Sequence, residues 1–335
     1  MSDASNPAAQ DRPLVTFALF AYNQEQYIRE AVEGAFSQTY SPLEIILSDD
    51  CSTDRTFEIM QEMAAAYEGP HEVRVRRNSV NFGLAQHLNE IAKISKGTIM
   101  SWAAGDDIAL PRRTEKFVDI LERKSKVDYV HSALEHIDVN SVHLSFYFHD
   151  YEIQKPNFLS AIRGMSRIAT QSCAFRREAF EAFGPLKSTV TQEAMVMGFR
   201  ASYTGVEYIA EPLTKYRIGS GVSTYQGRDI IRLRQLEPLK VSGWHKTSLE
   251  QMVEDVDFLD INLRKQLKPI IVKRLNYWSE VHVVNTVGFS RDTVNYILSG
   301  SHLGPELIRA ILRNSIPLWF YKVLKKLDHP YKIIR

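Results

Sequence analysis

The 335-residue chain has only two cysteines, Cys51 and Cys173. The two could pair, but nothing points to a disulfide framework, and a reducing compartment fits better than an oxidising one. No apolar run approaches the roughly eighteen residues a bilayer span needs, so no membrane-crossing helix is expected. Charge of one sign is missing as well: 41 Lys and Arg stand against 40 Asp and Glu, for a net +1. No global basic field therefore points to nucleic acid as a partner. There is no Asn-x-Ser/Thr acceptor, which fits a cytoplasmic location. No Gly-x-Gly-x-x-Gly follows the first apolar run, which disfavours a dinucleotide oxidoreductase. The ten histidines nowhere take the His-x-x-x-His spacing of a helical metal site.

What is present is an ordinary globular composition, 44% apolar and 24% charged, with room for one large domain and a smaller one. Residues 1–13 are polar and lack an apolar centre, so a disordered tail is expected there, not a secretory signal. Val15 to Ala21 is a short continuous apolar run that suits a strand buried on both faces. Helical spacing follows over Gln24 to Phe36. Leu43–Ser48 reads as a second strand. Ser52-Thr53-Asp54 offers caps for a helix to about Tyr67. Val73–Arg77, Leu84–Ile94 and Thr98–Trp102 read as strand, helix and strand, and Pro111 opens a helix to about Lys124. This alternation argues for an open, mostly parallel α/β sheet flanked by helices. Beyond Val130 the pattern loosens. Residues 138–168 read as loops around a cleft, Glu178–Phe183 and Glu193–Tyr203 as helices, Glu207–Ile209 as a short strand. From Arg228 the chain reads as helical, with a boundary near residues 219–228.

Two acid pairs fall at strand ends. Asp49-Asp50 closes the second strand, and Asp106-Asp107 follows the fourth. Adjacent carboxylates repel, so a fold seldom sets them there without a cation, a ligand or backbone amides to offset the charge. A divalent ion holding a diphosphate is one such use, because hard cations take carboxylate oxygens and leave positions for phosphate. In open α/β sheets ligands bind off the carboxyl ends of strands, where both pairs lie. Helix capping by Ser52, Thr53 and Asp54, and by the second pair ahead of Pro111, is the alternative use.

Phe20-Ala-Tyr-Asn, Ser37-Gln-Thr-Tyr, Glu44-Ile-Ile-Leu-Ser-Asp-Asp-Cys-Ser-Thr-Asp-Arg-Thr, Asn81-Phe-Gly and Gly105-Asp-Asp occur in this order. Together they resemble the family 2 glycosyltransferases over roughly residues 14–222. The resemblance implies a GT-A fold: residues 14–130 as nucleotide-binding half, 131–225 as acceptor half, and 226–335 as a helical C-terminal region. It implies a nucleoside-diphosphate sugar as donor, a glycan or lipid-linked saccharide as acceptor, and divalent Mn²⁺ or Mg²⁺ as cofactor. Asp50 and Asp49 would accept hydrogen bonds from base and ribose, since a carboxylate takes two donors at once. Tyr22 would line the nucleobase pocket or sit in the core. Asn81 and Gly83 would form a turn passing close to the nucleotide, while Asn23 and Gln38 would bond loop backbone. Asp106 would hold the metal, with Asp107 beside it; the family's Asp-x-Asp has Ala104 at its first position here.

The family's general base is usually the Asp of a Glu-Asp pair. Aligned on Arg200-Ala201, that pair is Glu193-Ala194, so Glu193 is the candidate base, with Glu135 and Asp138 as alternatives. A catalytically weak or inactive nucleotide-sugar-binding protein is the competing reading. Arg217, in a segment resembling the family's Tyr-Arg-x-His loop with Gly219 at the His position, is a phosphate candidate, as are Arg176 and Arg177. Both cysteines read as small buried residues. Residues 301–335 carry seven Lys and Arg against Glu306 and Asp328, with apolar residues near helical spacing. Such a helix can pack on the domain with a solvated basic face, or lie on the inner face of the plasma membrane. The implied role is an inverting transferase of bacterial surface polysaccharide biosynthesis.

Overall fold

The computed structural model describes residues 12–148, 157–164, 168–219 and 237–287. The chain divides into two compact units, Met1–Tyr225 and Gln226–Arg335. In the first, strands β1 (Val15–Ala21), β2 (Leu43–Asp49), β3 (Glu72–Arg77) and β4 (Ile99–Ala104) alternate with helices α1 (Ile28–Phe36), α2 (Thr56–Ala65) and α3 (Leu84–Ile94). A two-residue strand β5 (Ile108–Ala109) precedes α4 (Arg113–Arg123). Next come β6 (Tyr129–Ile137), β7 (His143–Tyr147), the short helix α5 (Phe158–Ile162), β8 (Cys173–Arg176), α6 (Arg177–Ala182), α7 (Glu193–Thr204) and β9 (Val206–Arg217).

Among the described residues nine strands form one sheet in the order β3-β2-β1-β4-β8-β6-β9-β5, with β7 paired to β6. β1 pairs in parallel with β2 and β4, and β2 with β3. β8 runs antiparallel to both β4 and β6, and β9 runs parallel to β6. Only β5, β7 and β8 therefore oppose the common direction. The carboxyl ends of the other six, including Ala21, Asp49, Ala104, Ile137 and Arg217, share one edge. Cys173 opposite Trp102 also puts the 3-10 turn Thr170–Ser172, which leads into β8, at that edge.

Alternation along β1 explains the layers. Phe17 and Leu19 pack with Ala31, Val32 and Ala35 of α1 and Phe117, Val118 and Leu121 of α4. Ala18 points to the other face, with Leu88 and Ile91 of α3 and Trp102, Phe175, Phe180 and Val196. Apolar stripes on both faces bury all of β1 but the partly exposed Phe20, which is why its sequence is a continuous apolar run. Gln38 ties the first layer together. Its amide donates to Gly34 and Leu110 carbonyls at 2.9 and 3.0 Å, and its oxygen accepts from Thr114 Oγ1 at 2.7 Å.

Several boundaries differ from expectation. The helix expected from Gln24 begins at Ile28 because the amides of Asn23, Gln24 and Glu25 donate to Ser52, Thr56 and Asp54 side chains instead. The region expected to hold loops contains β7 and α5. The strand expected at Glu207–Ile209 is the start of the twelve-residue β9. β6 and the turn into β8 escaped a periodicity reading because polar His131, Ser132 and Ser172 are buried among their apolar neighbours.

The second unit holds α8 (Glu237–Asp255) and α9 (Ile261–Val287), joined through the turn Val256–Phe258. Leu249, Met252, Leu267, Ile271 and Trp278 are buried, and His245 stacks on Trp278 with centroids 4.0 Å apart. Among the described residues no helix is long and apolar enough to cross a membrane. The basic segment 301–335 lies outside the described residues.

Candidate active site

At the shared edge the loop after β1 is zipped to the loop after β2. Asn23 adopts a left-handed φ of 51°, which an Asn tolerates. Its amide donates to Ser52 Oγ at 2.8 Å, and its side-chain oxygen accepts from the Thr53 amide at 2.8 Å. Asp54 accepts from the Glu25 amide and from Thr56. Tyr22 stands beside this zipper with 42% of its surface exposed, so it belongs to the rim and not to the core.

The two acids at the end of β2 part company. Asp49 is sealed from solvent, accepts from the Ser52 amide at 2.9 Å and pairs with Arg77 at 3.2 Å. That departs from the expected nucleoside contact: its oxygens are consumed in building the turn. Asp50 accepts from Asn78 Nδ2 at 2.6 Å, the Phe82 amide at 3.0 Å and the Gly83 amide at 2.9 Å. A carboxylate has about four lone-pair positions, so roughly one remains. Gly83 has φ 77° and ψ 163°, a combination open essentially to glycine alone. Asn81 folds back on it, its side-chain oxygen accepting from the Gly83 amide at 2.9 Å. Under this loop Ser48 meets His87 Nε2 at 2.6 Å and Arg76 at 2.7 Å. Burial pushes His87 down to about 4, so it is neutral near pH 7.

The turn after β4 carries the second acid pair. Gly105 is required there by space: a Cβ would stand 2.7 Å from that of Ala21. Asp106 is 8% exposed and Asp107 is 3% exposed. Asp107 Oδ1 accepts from the Arg217 amide at 2.9 Å, while its buried Oδ2 has no hydrogen-bond partner. Burial, then the neighbouring Asp106 charge, holds the Asp107 carboxyl well above the usual range. Arg113 lies fully buried between Phe17 and Phe117, donating to Ser101 and the Trp102 carbonyl. Burial pushes it down to about 10.

Arg217 departs from its expected role as a phosphate contact. Its side chain is 1% exposed and pairs with Glu30. Nε donates to the Asp106 carbonyl at 2.9 Å, and Nη1 donates to the Asp138 carbonyl at 3.1 Å and Ser141 Oγ at 2.9 Å. The guanidinium also lies 4.6 Å from the Tyr27 ring centroid. It clamps α1, the acid turn and the β6–β7 turn together. Arg176 and Arg177 sit at the opposite edge, since Arg176 pairs with Ile99 at the start of β4; they bond Asp128 and Glu181.

Glu193 opens α7 and is 8% exposed. Its Oε1 accepts from Thr170 Oγ1 at 2.6 Å. Burial raises its pKa, with the Thr170 bond working against the rise. Thr170 belongs to the turn at the shared edge, so Glu193 is held near the end of β4. The alternative acids are engaged elsewhere: Asp138 accepts from the Asn140 and Val142 amides, and Glu135 contacts His143 at 3.0 Å. Both cysteines are free thiols, and burial pushes Cys173 up to about 12, so it is inert.

The family model for Glycosyl transferase family 2 matches residues 16–184, half of the chain. The chain belongs to that family. Similar curated proteins include a putative glycosyltransferase, EpsE, of Bacillus subtilis, 37% identical over 111 residues, 33% of this chain and 39% of that one. An uncharacterized glycosyltransferase of Haemophilus influenzae is 35% identical over 123 residues, 37% of either chain. The match thus spans well under half of each relative's length. Among solved structures, S. aureus TarS 1-349 aligns with a TM-score of 0.57 at 15% identity, over 94% of this chain and 88% of that one. A mannosyltransferase, PcManGT from Pyrobaculum calidifontis, in complex with GDP-Man and Mn²⁺, aligns at 0.52 and 16%, over 94% and 87%. At such identities these alignments speak for the fold alone, which is the GT-A architecture expected.

Within this family 2 chain, sequence reasoning missed Asn78, His87 and Arg113. None stands in a motif that would single it out. Each matters because a distant segment delivers its partner: Asn78 to Asp50, His87 to Ser48, Arg113 to the end of β4.

Proposed function

We propose that the chain is an inverting glycosyltransferase, moving a sugar from a nucleoside-diphosphate sugar to a hydroxyl acceptor in bacterial surface polysaccharide or a related glycan. The observation that carries this is the convergence of Asp50, the Asp106-Asp107 turn and the buried Glu193 on one sheet edge, at the carboxyl ends of β2 and β4. Support comes also from the aligned S. aureus TarS 1-349, solved in complex with UDP-GlcNAc, and from PcManGT with its GDP-Man and Mn²⁺.

Asp50 has one acceptor position left for a nucleoside N–H or O–H, and the exposed Tyr22 ring offers a stacking surface for the base. Asp106 and Asp107 fit a divalent cation, Mn²⁺ or Mg²⁺. Their donors are hard oxygens, and the unpartnered Asp107 Oδ2, buried beside a second carboxylate, is a site a cation would relieve. Such an ion supplies charge neutralisation to a departing diphosphate. Among the described residues no cluster of three or more ligand-type side chains exists, so phosphate oxygens and water would complete the shell. Glu193 accepts the proton of the attacking hydroxyl on the face opposite the leaving group. Its raised pKa suits that task, and the Thr170 bond orients the carboxylate.

The test is release of nucleoside diphosphate from a panel of UDP-, GDP- and dTDP-sugars, with Mn²⁺ and with chelator. Metal-dependent release that Glu193→Gln abolishes, with donor affinity kept, is the expected result. Donor binding without release, whatever the acceptor, would favour a nucleotide-sugar-binding protein that lost turnover through Ala194. No donor binding at all would overturn both.

A further inference from the structure

The Asp50 carboxylate is aimed by a chain of side chains that starts outside every motif of the sequence. Asn78 Nδ2 donates to Asp50 Oδ1 at 2.6 Å, and the Phe82 amide donates to the same oxygen at 3.0 Å. Oδ2 accepts from the Gly83 amide at 2.9 Å. A carboxylate oxygen has about two lone-pair positions. Oδ1 is therefore filled, and the open position lies on Oδ2.

The next link is Arg76. Its Nη2 donates to Asn78 Oδ1, and its Nη1 donates to Ser48 Oγ at 2.7 Å. Ser48 and Arg76 are register partners across β2 and β3. Alternation puts Ser48 on the same face as Asp50, while Asp49 and its partner Arg77 take the other. A guanidinium has donors only. Ser48 Oγ thus accepts from Arg76 and gives its own proton to the neutral His87, whose Nε2 lies 2.6 Å away. Each link then has one hydrogen order. A reversed Asn78 amide would set its oxygen against Asp50 and its NH2 against Arg76. Ser48, Asp50, Asn78 and His87 are all buried, so the order is kept away from solvent.

We propose that Arg76 is a positioning residue for the donor: it fixes the Asn78 amide, and through it the Oδ2 position with which Asp50 takes the nucleoside. It touches neither base nor phosphate. The proposal rests on the nucleotide-sugar reading above. The geometry calls for a fork and not a bare charge. Arg76 serves acceptors on two segments at once, which a planar guanidinium does and a single ammonium does not. A residue that drew in the diphosphate by charge alone would have no need of the bond back to β2.

The test is titration calorimetry on the full chain with Mn²⁺ present, using UDP, GDP, dTDP and inorganic pyrophosphate as probes. Arg76→Met and Arg76→Lys should each weaken the nucleoside diphosphate that the wild type binds about tenfold, the order of one hydrogen bond to a charged group, and leave pyrophosphate affinity within about twofold. Asn78→Ala should lose as much. The double variant Asn78→Ala/Arg76→Met should bind no worse than Asn78→Ala, because one residue acts through the other. Melting curves check that each variant is folded; should Arg76→Met not be, Arg76→Lys replaces it in both comparisons. Wild-type affinity in Arg76→Lys, an equal loss for pyrophosphate, or additive losses in the double variant would overturn the proposal. The two readings fail differently. If the wild type binds no nucleoside diphosphate, the nucleotide-sugar reading falls; if it binds one and the Arg76 variants bind it equally well, only the positioning role falls.

Discussion

Replacing Arg217 with methionine tests whether the residue is a clamp or a phosphate ligand. Methionine keeps most of the apolar stem and removes every donor. The Asp106 and Asp138 carbonyls lose their Arg217 bonds, Ser141 loses one, and Glu30 loses its cation. A buried acceptor stripped of its donor costs about 1–3 kcal/mol. The pair with Glu30, which is 43% exposed, adds under about 1 kcal/mol because solvent screens it. The cation–π contact with Tyr27 adds about 0.5–1 kcal/mol. Part of each loss is recovered by water, so about 3 kcal/mol is expected. For a unit of this size that is roughly 6–12 °C in melting midpoint. Differential scanning calorimetry reads the stability, and titration calorimetry with UDP- and GDP-sugars reads the donor site. Arg217→Lys should recover little, because a single ammonium cannot reach four acceptors in a planar fan. A variant that melts at the wild-type temperature but loses donor affinity would refute the clamp and restore the phosphate contact.

Glu193→Gln should lower turnover about 10²–10⁴-fold while changing the donor dissociation constant less than twofold. Thr170→Val removes the bond that holds the Glu193 pKa down. The base must be ionised, so the acid limb of the rate profile should move to higher pH. Asp106→Asn should abolish the Mn²⁺-dependent part of donor binding, whereas Asp107→Asn, which removes a buried charge with one unpartnered oxygen, should raise the melting temperature in chelator and weaken the response to Mn²⁺. His87 is neutral when folded, with its pKa lowered to about 4. The unfolded chain binds its proton near the ordinary pKa of about 6.5, so this contribution is complete above that pH and is lost as pH falls towards 4. His87→Leu should flatten that part of the stability profile.

Much of the first unit was legible along the chain. The apolar run Val15–Ala21 and the acid pairs are local signals, and each labels an element or a strand end without reference to distant residues, whereas Ser52 and Thr53, expected to cap α2, bond Asn23 instead. Beyond the start of β9 at Glu207–Ile209 the second half of the sheet was not legible, because β6, β9 and the turn into β8 bury polar residues whose hydrogen bonds are satisfied across strands. Ser132, Ser172 and Thr214 look like loop residues until the pairing brings their hydroxyls together.

The sequence by itself determined the family, the α/β class and which acids lie at strand ends, because motif order and hydrophobic period are properties of neighbours. Tertiary structure alone decided what those side chains do. Asp49 and Asp50 are adjacent and chemically identical, yet one is sealed against Arg77 and the other holds the Asn78–Gly83 loop. Arg217 stands in a phosphate-loop motif, yet its guanidinium is spent on α1 and two turns. Burial and partner geometry fix the function of a charged group, and both are set by segments far away in the chain.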